Sequence, residues 1–109
     1  MIAEIQCLPT PTGTPESAYA HIDAAIAVVA DSGLTYEVGA LGTTFEGPPD
    51  EMWTVLRRAH EATLGTGDEP SSGAGSVVTV LKVFQTAPDD AAGATTHGPG
   101  IDDLVAAHR

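Results

Sequence analysis

Hydrophobic and polar positions along this chain switch between a period of two and a period near 3.6, and the switches predict its elements. Residues 1–8 alternate, with Ile2, Glu4 and Gln6 on one face and Ala3, Ile5 and Cys7 on the other, which is a β-strand pattern. Pro9, Pro11 and Gly13 then break the chain. Thr14-Pro15-Glu16 reads as an N-cap, a proline in the first helical position and an acid in the first turn. Ile22, Ala25, Ile26 and Val29 recur at helical spacing, and Gly33 supplies the stop. Residues 34–39 and 42–46 read as two short strands, and the Gly39-Ala40-Leu41-Gly42 link is short enough to make them antiparallel neighbours.

Pro48-Pro49-Asp50-Glu51 opens a second helix whose buried stripe is Met52, Val55, Leu56, Ala59 and Ala62, with Gly65 at its end. Residues 66–75 form a polar Gly/Ser-rich loop, and residues 76–85 (SVVTVLKVFQ) are the most strongly β-prone run of the chain. The order is βαββαβ, an α+β ferredoxin-like sandwich: a four-stranded antiparallel sheet with two helices on one face. Residues 1–86 make this domain. Residues 87–100 (APDDAAGATTHGPG) read as a flexible linker, and residues 101–109 as a short amphipathic C-terminal helix with Ile101, Leu104 and Val105 on one side. A helix of that length needs something to dock on.

This topology leaves one sheet face open. The last strand is apolar on both sides, with Val77, Leu81 and Val83 on one and Val78, Val80 and Phe84 on the other. A strand buried on both faces reads this way. A second copy of the sheet covering the open face is therefore expected, making a homo-oligomer of at least two chains; the other reading folds the C-terminal helix back over it. With strand order 4-1-3-2, Glu4 and Gln6 lie beside Lys82, Thr44 and Glu46, a polar island on an apolar face. Glu4 and Lys82 form a cross-strand ion pair, or the island satisfies its polar groups on a bound ligand.

At 109 residues the chain is one domain. Its net charge of −11, with only Arg57, Arg58, Lys82 and Arg109 as strong bases, repels phosphate backbones and anionic lipid and excludes nucleic-acid and membrane binding. The same field favours a small cationic ligand. A single cysteine, Cys7, rules out an internal disulfide framework and, in mid-strand, reads as a small buried hydrophobe rather than a nucleophile. Met1 leads straight into a strand with no leader or long apolar run, so a cytoplasmic location is expected.

Residues 32–47 (SGLTYEVGALGTTFEG) concentrate candidate chemistry where a strand hands over to a helix. Together with the Ile2-Ala3-Glu4-Ile5 opening, the Leu8-Pro9 break, Asp50-Glu51, Arg57-Arg58-Ala59-His60 and Leu81-Lys82-Val83, they resemble the single-domain thiamine-binding protein family over residues 1–86. The resemblance implies a ferredoxin-like homo-oligomer, a homodimer or a homotetramer built as a dimer of dimers by sheet-to-sheet contact, that binds thiamine or its hydroxymethylpyrimidine part without established catalysis. It also implies roles for Thr43, Glu46 and Gly47, which match recurrent motif positions. The chain departs from the family in its longer 66–75 loop and in Phe84-Gln85-Thr86 after the last strand.

Thiamine presents an aminopyrimidine edge and a permanently cationic thiazolium, so its pocket needs a carboxylate or hydroxyls, an aromatic face and no adjacent positive charge. Thr43, Thr44, Glu46 and Tyr36 supply these types close together. Thr43-x-x-Glu46 before a helix also fits a capping arrangement, and both readings stand. Ser17, beside Tyr19 at the start of the first helix, either donates to a ligand or satisfies backbone groups. Trp53, next to Met52, reads as core or interface packing. His21, Asp23, His60, Glu61, His97 and His108 show no metal-ligand spacing, so neither a metal nor a cofactor is expected. No nucleophile–base pair is evident. A non-catalytic binder of thiamine or its pyrimidine is the leading reading. The alternatives are a small dimeric enzyme, of isomerase or cofactor-free monooxygenase type, and a ligand-free structural or regulatory oligomer.

Overall fold

The computed structural model describes residues 1–65, 73–87 and 101. Of the linker expected over 87–100, residues 88–100 lie outside the described residues, as do most of the 66–75 loop and the tail beyond 101. The elements run β1 (Ile2–Thr10), α1 (Ala20–Asp31), β2 (Thr35–Val38), β3 (Thr43–Glu46), α2 (Pro49–Ala62) and β4 (Ser76–Phe84). All sheet pairings are antiparallel, in the order β2-β3-β1-β4. This is the expected ferredoxin-like arrangement.

The alternation of β1 decides which way everything faces. Ala3 and Ile5 point to one side and join Phe45 of β3, Ala25 and Val29 of α1, and Met52, Val55, Leu56 and Ala59 of α2 in a single buried cluster. The helices therefore share one face, and Ile2, Glu4, Gln6 and Leu8 point to the other. Phe45, Met52 and Leu56 are the largest side chains wholly removed from water. With few aromatics available, this aliphatic layer carries the hydrophobic stabilisation.

Each helix ends as its sequence dictates. At the end of α1, Ser32 Oγ donates to the Val29 carbonyl at 2.6 Å, and Gly33 takes φ +81°, which favours glycine. Beyond α2, Gly65 takes φ +83°. Thr63 is wholly buried: its hydroxyl donates to the His60 carbonyl at 2.7 Å and its carbonyl accepts the Ala74 N–H at 2.8 Å. That bond ties the end of α2 to the approach of β4.

The start of α1 differs from the sequence expectation. The helix begins at Ala20, and Thr14-Pro15-Glu16-Ser17 forms a tight turn in which the Ser17 N–H donates to the Thr14 carbonyl at 3.1 Å. Thr14 and Ser17 also exchange the reciprocal bond at 2.9 Å. A threonine followed by proline suits positions i and i+1 of a β-turn as well as a helix start. Gly13 settles the competition, because a side chain there would collide with the Ser17 and Ala18 backbone folded against it.

β4 is the edge strand that the expected order makes it, and apart from half-buried Val77 and Thr79 its residues are exposed on both faces within the single chain. Thr79 holds it to the core through a polar chain. Its hydroxyl donates to Cys7 Sγ at 3.7 Å, which leaves His60 Nδ1 to donate to Thr79 Oγ1 at 2.6 Å. Burial pushes the Cys7 thiol above its ordinary pKa, more than the Thr79 hydrogen bond lowers it.

Two outcomes follow from this packing. Phe45→Ala will cost about 3–5 kcal/mol in denaturant unfolding, since it empties the centre of the helix–sheet layer. Cys7 will alkylate with iodoacetamide more slowly than a free cysteine at mildly alkaline pH. The midpoint of its pH–rate curve will lie above the ordinary thiol value, and a midpoint below it would contradict the burial argument.

Candidate functional site

Register places the polar side chains of the open face in rows. Glu37 of β2 pairs with Thr44 of β3, Thr44 with Glu4 of β1, and Glu4 with Lys82 of β4, so four polar residues cross the whole sheet in one line. In the adjacent row, Thr35 pairs with Glu46, Glu46 with Ile2, and Ile2 with Phe84. Glu4 and Lys82 approach to 4.0 Å, with the lysine side chain largely in water, so this pair contributes about 0–1 kcal/mol. The island anticipated from the alternation is present in the register.

The eight sequence-predicted residues do not form one pocket. Thr44, Glu46, Glu4 and Lys82 share the open face. Thr43 and Tyr36 share the opposite, helix-facing side, because neighbours in a strand point to opposite faces. Thr43 is buried there and lines a cleft of about 200 Å³ between α1 and the β2–β3 hairpin. Ile22, Ile26, Val29, Val38 and Leu41 are among the other lining residues, so the cleft is mainly apolar. Ser17 is exposed in the turn before α1. Its N–H, at 3.1 Å from the Thr14 hydroxyl, serves the turn.

Gly47 has a packing role in this structure. A side chain at position 47 would meet Leu34 Cδ2 at 2.7 Å, and the Gly47 N–H donates to the Met1 carbonyl at 3.1 Å. The capping reading of Thr43 and Glu46 does not hold. The N-cap of α2 is Pro48, no side chain bonds to it, and Pro49 occupies the first turn without an N–H to satisfy. Glu46 is left free of the helix start. Its Oε2 instead accepts the backbone N–H of Ile101 at 3.0 Å.

Sequence reasoning passed over Glu37, Thr35 and Gly42. Glu37 and Thr35 follow the same period-two phase as Thr44 and Glu46, which is the signal that finds them. Gly42 makes room for the site, since a side chain there would meet Glu4 Cγ at 3.1 Å. The face thus gathers three carboxylates, Glu4, Glu37 and Glu46, against one lysine. Such a surface favours a cation and offers acceptors to an amino-heterocycle. Trp53 is half exposed on α2 rather than in the core and lines an open groove with His60, Thr79 and Leu81. Among the described residues no three His, Cys, Asp or Glu side chains converge in a metal-binding group, and no helix is long and apolar enough to cross a membrane.

Known proteins share this fold. A UPF0045 protein of Clostridium perfringens is 28% identical over 65 residues, which is 60% of this chain and 62% of the relative's length. The chain therefore spans less than two thirds of that curated relative. The solved structure of a domain of unknown function, DUF77, from Bacillus cereus is 31% identical and superposes with a TM-score of 0.69, covering 100% of this chain and 91% of that one. A candidate thiamine biosynthesis/salvage protein of Thermotoga maritima is 23% identical with a TM-score of 0.66, covering 99% of this chain and 97% of its own; at that identity the likeness shows the fold alone. The sequence profile described as thiamine-binding protein matches residues 3–93. The chain belongs to the thiamine-binding protein family.

Proposed function

We propose that this protein is a non-catalytic binder of thiamine or of its hydroxymethylpyrimidine part, acting in the cytoplasm as a carrier, buffer or sensor. The observation that carries this reading is the polar row Glu37–Thr44–Glu4–Lys82, with Glu46 beside it, in a member of the thiamine-binding family. The description of the Thermotoga maritima structural neighbour as a candidate thiamine biosynthesis/salvage protein points the same way. In this proposal Glu46 and Thr44 take the aminopyrimidine edge as acceptors. Glu37 offsets the thiazolium charge at the β2 end of the row, away from Lys82, which stays paired with Glu4 at the β4 end. The helix-side residues Thr43 and Tyr36, with Gly47 and Ser17, act on the shape of the sheet and its turns rather than on the ligand.

The reading includes self-association through the sheet. Leu8, Val78, Val80 and Phe84 are all exposed on the open face and flank the polar island. A second copy laid on this face buries them and encloses the carboxylates in lower dielectric, where their hydrogen bonds to a ligand strengthen.

Calorimetric titration tests the ligand. Thiamine or hydroxymethylpyrimidine will bind the wild type and raise its melting temperature. Glu46→Gln will weaken binding by about tenfold or more, as expected for a hydrogen bond to a charged group. No heat and no thermal shift with either compound would sink the reading. Sedimentation tests the assembly: the wild type will run as a dimer or larger, and Val80→Asp as a folded monomer. A monomeric wild type at micromolar concentration would remove the oligomer from the account.

A further inference from the structure

The groove between α2 and β4 has the opposite electrostatic character to the open sheet face. It encloses about 350 Å³ and is lined by Trp53, Leu56, Arg57, His60, Thr79 and Leu81. The chain carries 15 Asp and Glu residues against four Lys and Arg, yet no acid lines this groove, and an arginine and a histidine do. Trp53, Arg57 and His60 succeed one another along α2 at steps of four and three, which puts them on one stripe of the helix. Trp53, the only tryptophan, is 49% exposed, so an indole that folding could have used in the core stands at the groove instead.

The polar groups of the groove are partly committed, in a way that leaves specific atoms for a ligand. Arg57 Nε donates to Glu61 Oε1 at 2.5 Å, which leaves the two Nη groups, and Glu61 itself does not line the groove. His60 Nδ1 donates to Thr79 Oγ1 at 2.6 Å, backed by the contact from Thr79 to Cys7, which leaves Nε2 as the second ring nitrogen.

We propose that this groove is a second binding site, for a small aromatic ring that carries a phosphate group. It is independent of the thiamine reading, because Thr79 and Leu81 alternate along β4 with the open-face residues Val78, Val80 and Lys82. Trp53 stacks on the ring, with Leu56 beneath it and Leu81 on the β4 side. The Arg57 Nη groups donate to phosphate oxygens, whose spacing suits a guanidinium fork. His60 Nε2 and the phosphate share one proton: a neutral ring accepts the P–O–H of the monoanion, and a protonated ring donates to the dianion. A phosphate monoester therefore suits either state of the imidazole, whereas a carboxylate suits only the protonated one. The net charge of −11 makes both halves of the ligand necessary. A free anion is repelled by the field of the chain, and an uncharged ring gains little in an open groove.

Trp53 reports occupancy through its own fluorescence. Phenyl phosphate titrated into the full-length protein will change Trp53 emission saturably, and will bind at least about tenfold more tightly than inorganic phosphate or benzyl alcohol. Arg57→Gln will weaken phenyl phosphate binding about tenfold. The Arg57 side chain is 81% exposed, so this variant will keep the wild-type melting temperature. Benzyl alcohol binding as tightly as phenyl phosphate reduces the site to an apolar groove and overturns the proposal. Inorganic phosphate binding as tightly overturns the part assigned to the ring. Unchanged affinity in Arg57→Gln, or no change in emission at millimolar phenyl phosphate, overturns the site itself. A phosphotyrosine peptide binding more tightly than phenyl phosphate makes the occupant a protein segment and overturns the assignment to a small molecule.

Discussion

The register of β1 is the constraint on which the rest of this protein depends. β1 is bonded on both sides, to β3 and to β4, and its period-two alternation sends Ala3 and Ile5 into the core while Glu4 and Gln6 face away. A slip of one residue would put Glu4 under the helices and Ala3 on the open face. The cost of burying that carboxylate unpaired excludes the slipped state. The same register lines up Glu37, Thr44, Glu4 and Lys82, so the physics that fixes the core also assembles the polar row.

The two sheet faces have opposite tasks. The helix face is closed by Phe45, Met52, Leu56 and Val29, all wholly buried, and stability comes from there. The open face keeps polar groups at its middle and apolar groups along β4, an arrangement that contributes little to folding a single chain. Exposed apolar residues on a long edge strand are a liability for a lone molecule and an asset for one that self-associates. In the proposed reading, this face is the one that binds.

Much of this was legible in the sequence, because alternation and helical spacing are direct consequences of burial. The β1 alternation gave both faces of that strand, and the Met52-Val55-Leu56-Ala59 stripe gave the buried side of α2. Three features were not. Thr14-Pro15 satisfies a β-turn and a helix start equally, and only the close packing around Gly13 decides between them. Thr43 and Thr44 look like one motif in sequence, yet the pleat sends them to opposite faces, which splits the candidate residues. The bond from Ile101 to Glu46 has no local pattern at all, since it joins positions 55 residues apart. The doubled apolar pattern of β4 was legible as composition, but the edge position of the strand leaves it uncovered within one chain.

The central claim is that the open sheet face, rather than the helix-side cleft, receives the ligand. Nuclear magnetic resonance titration with thiamine separates the two most directly, because the faces are lined by different residues of the same strands. The account predicts shift changes concentrated at Glu4, Glu37, Thr44, Glu46 and Lys82. Changes concentrated instead at Thr43, Ile22, Ile26 and Leu41, which line the cleft, would contradict it.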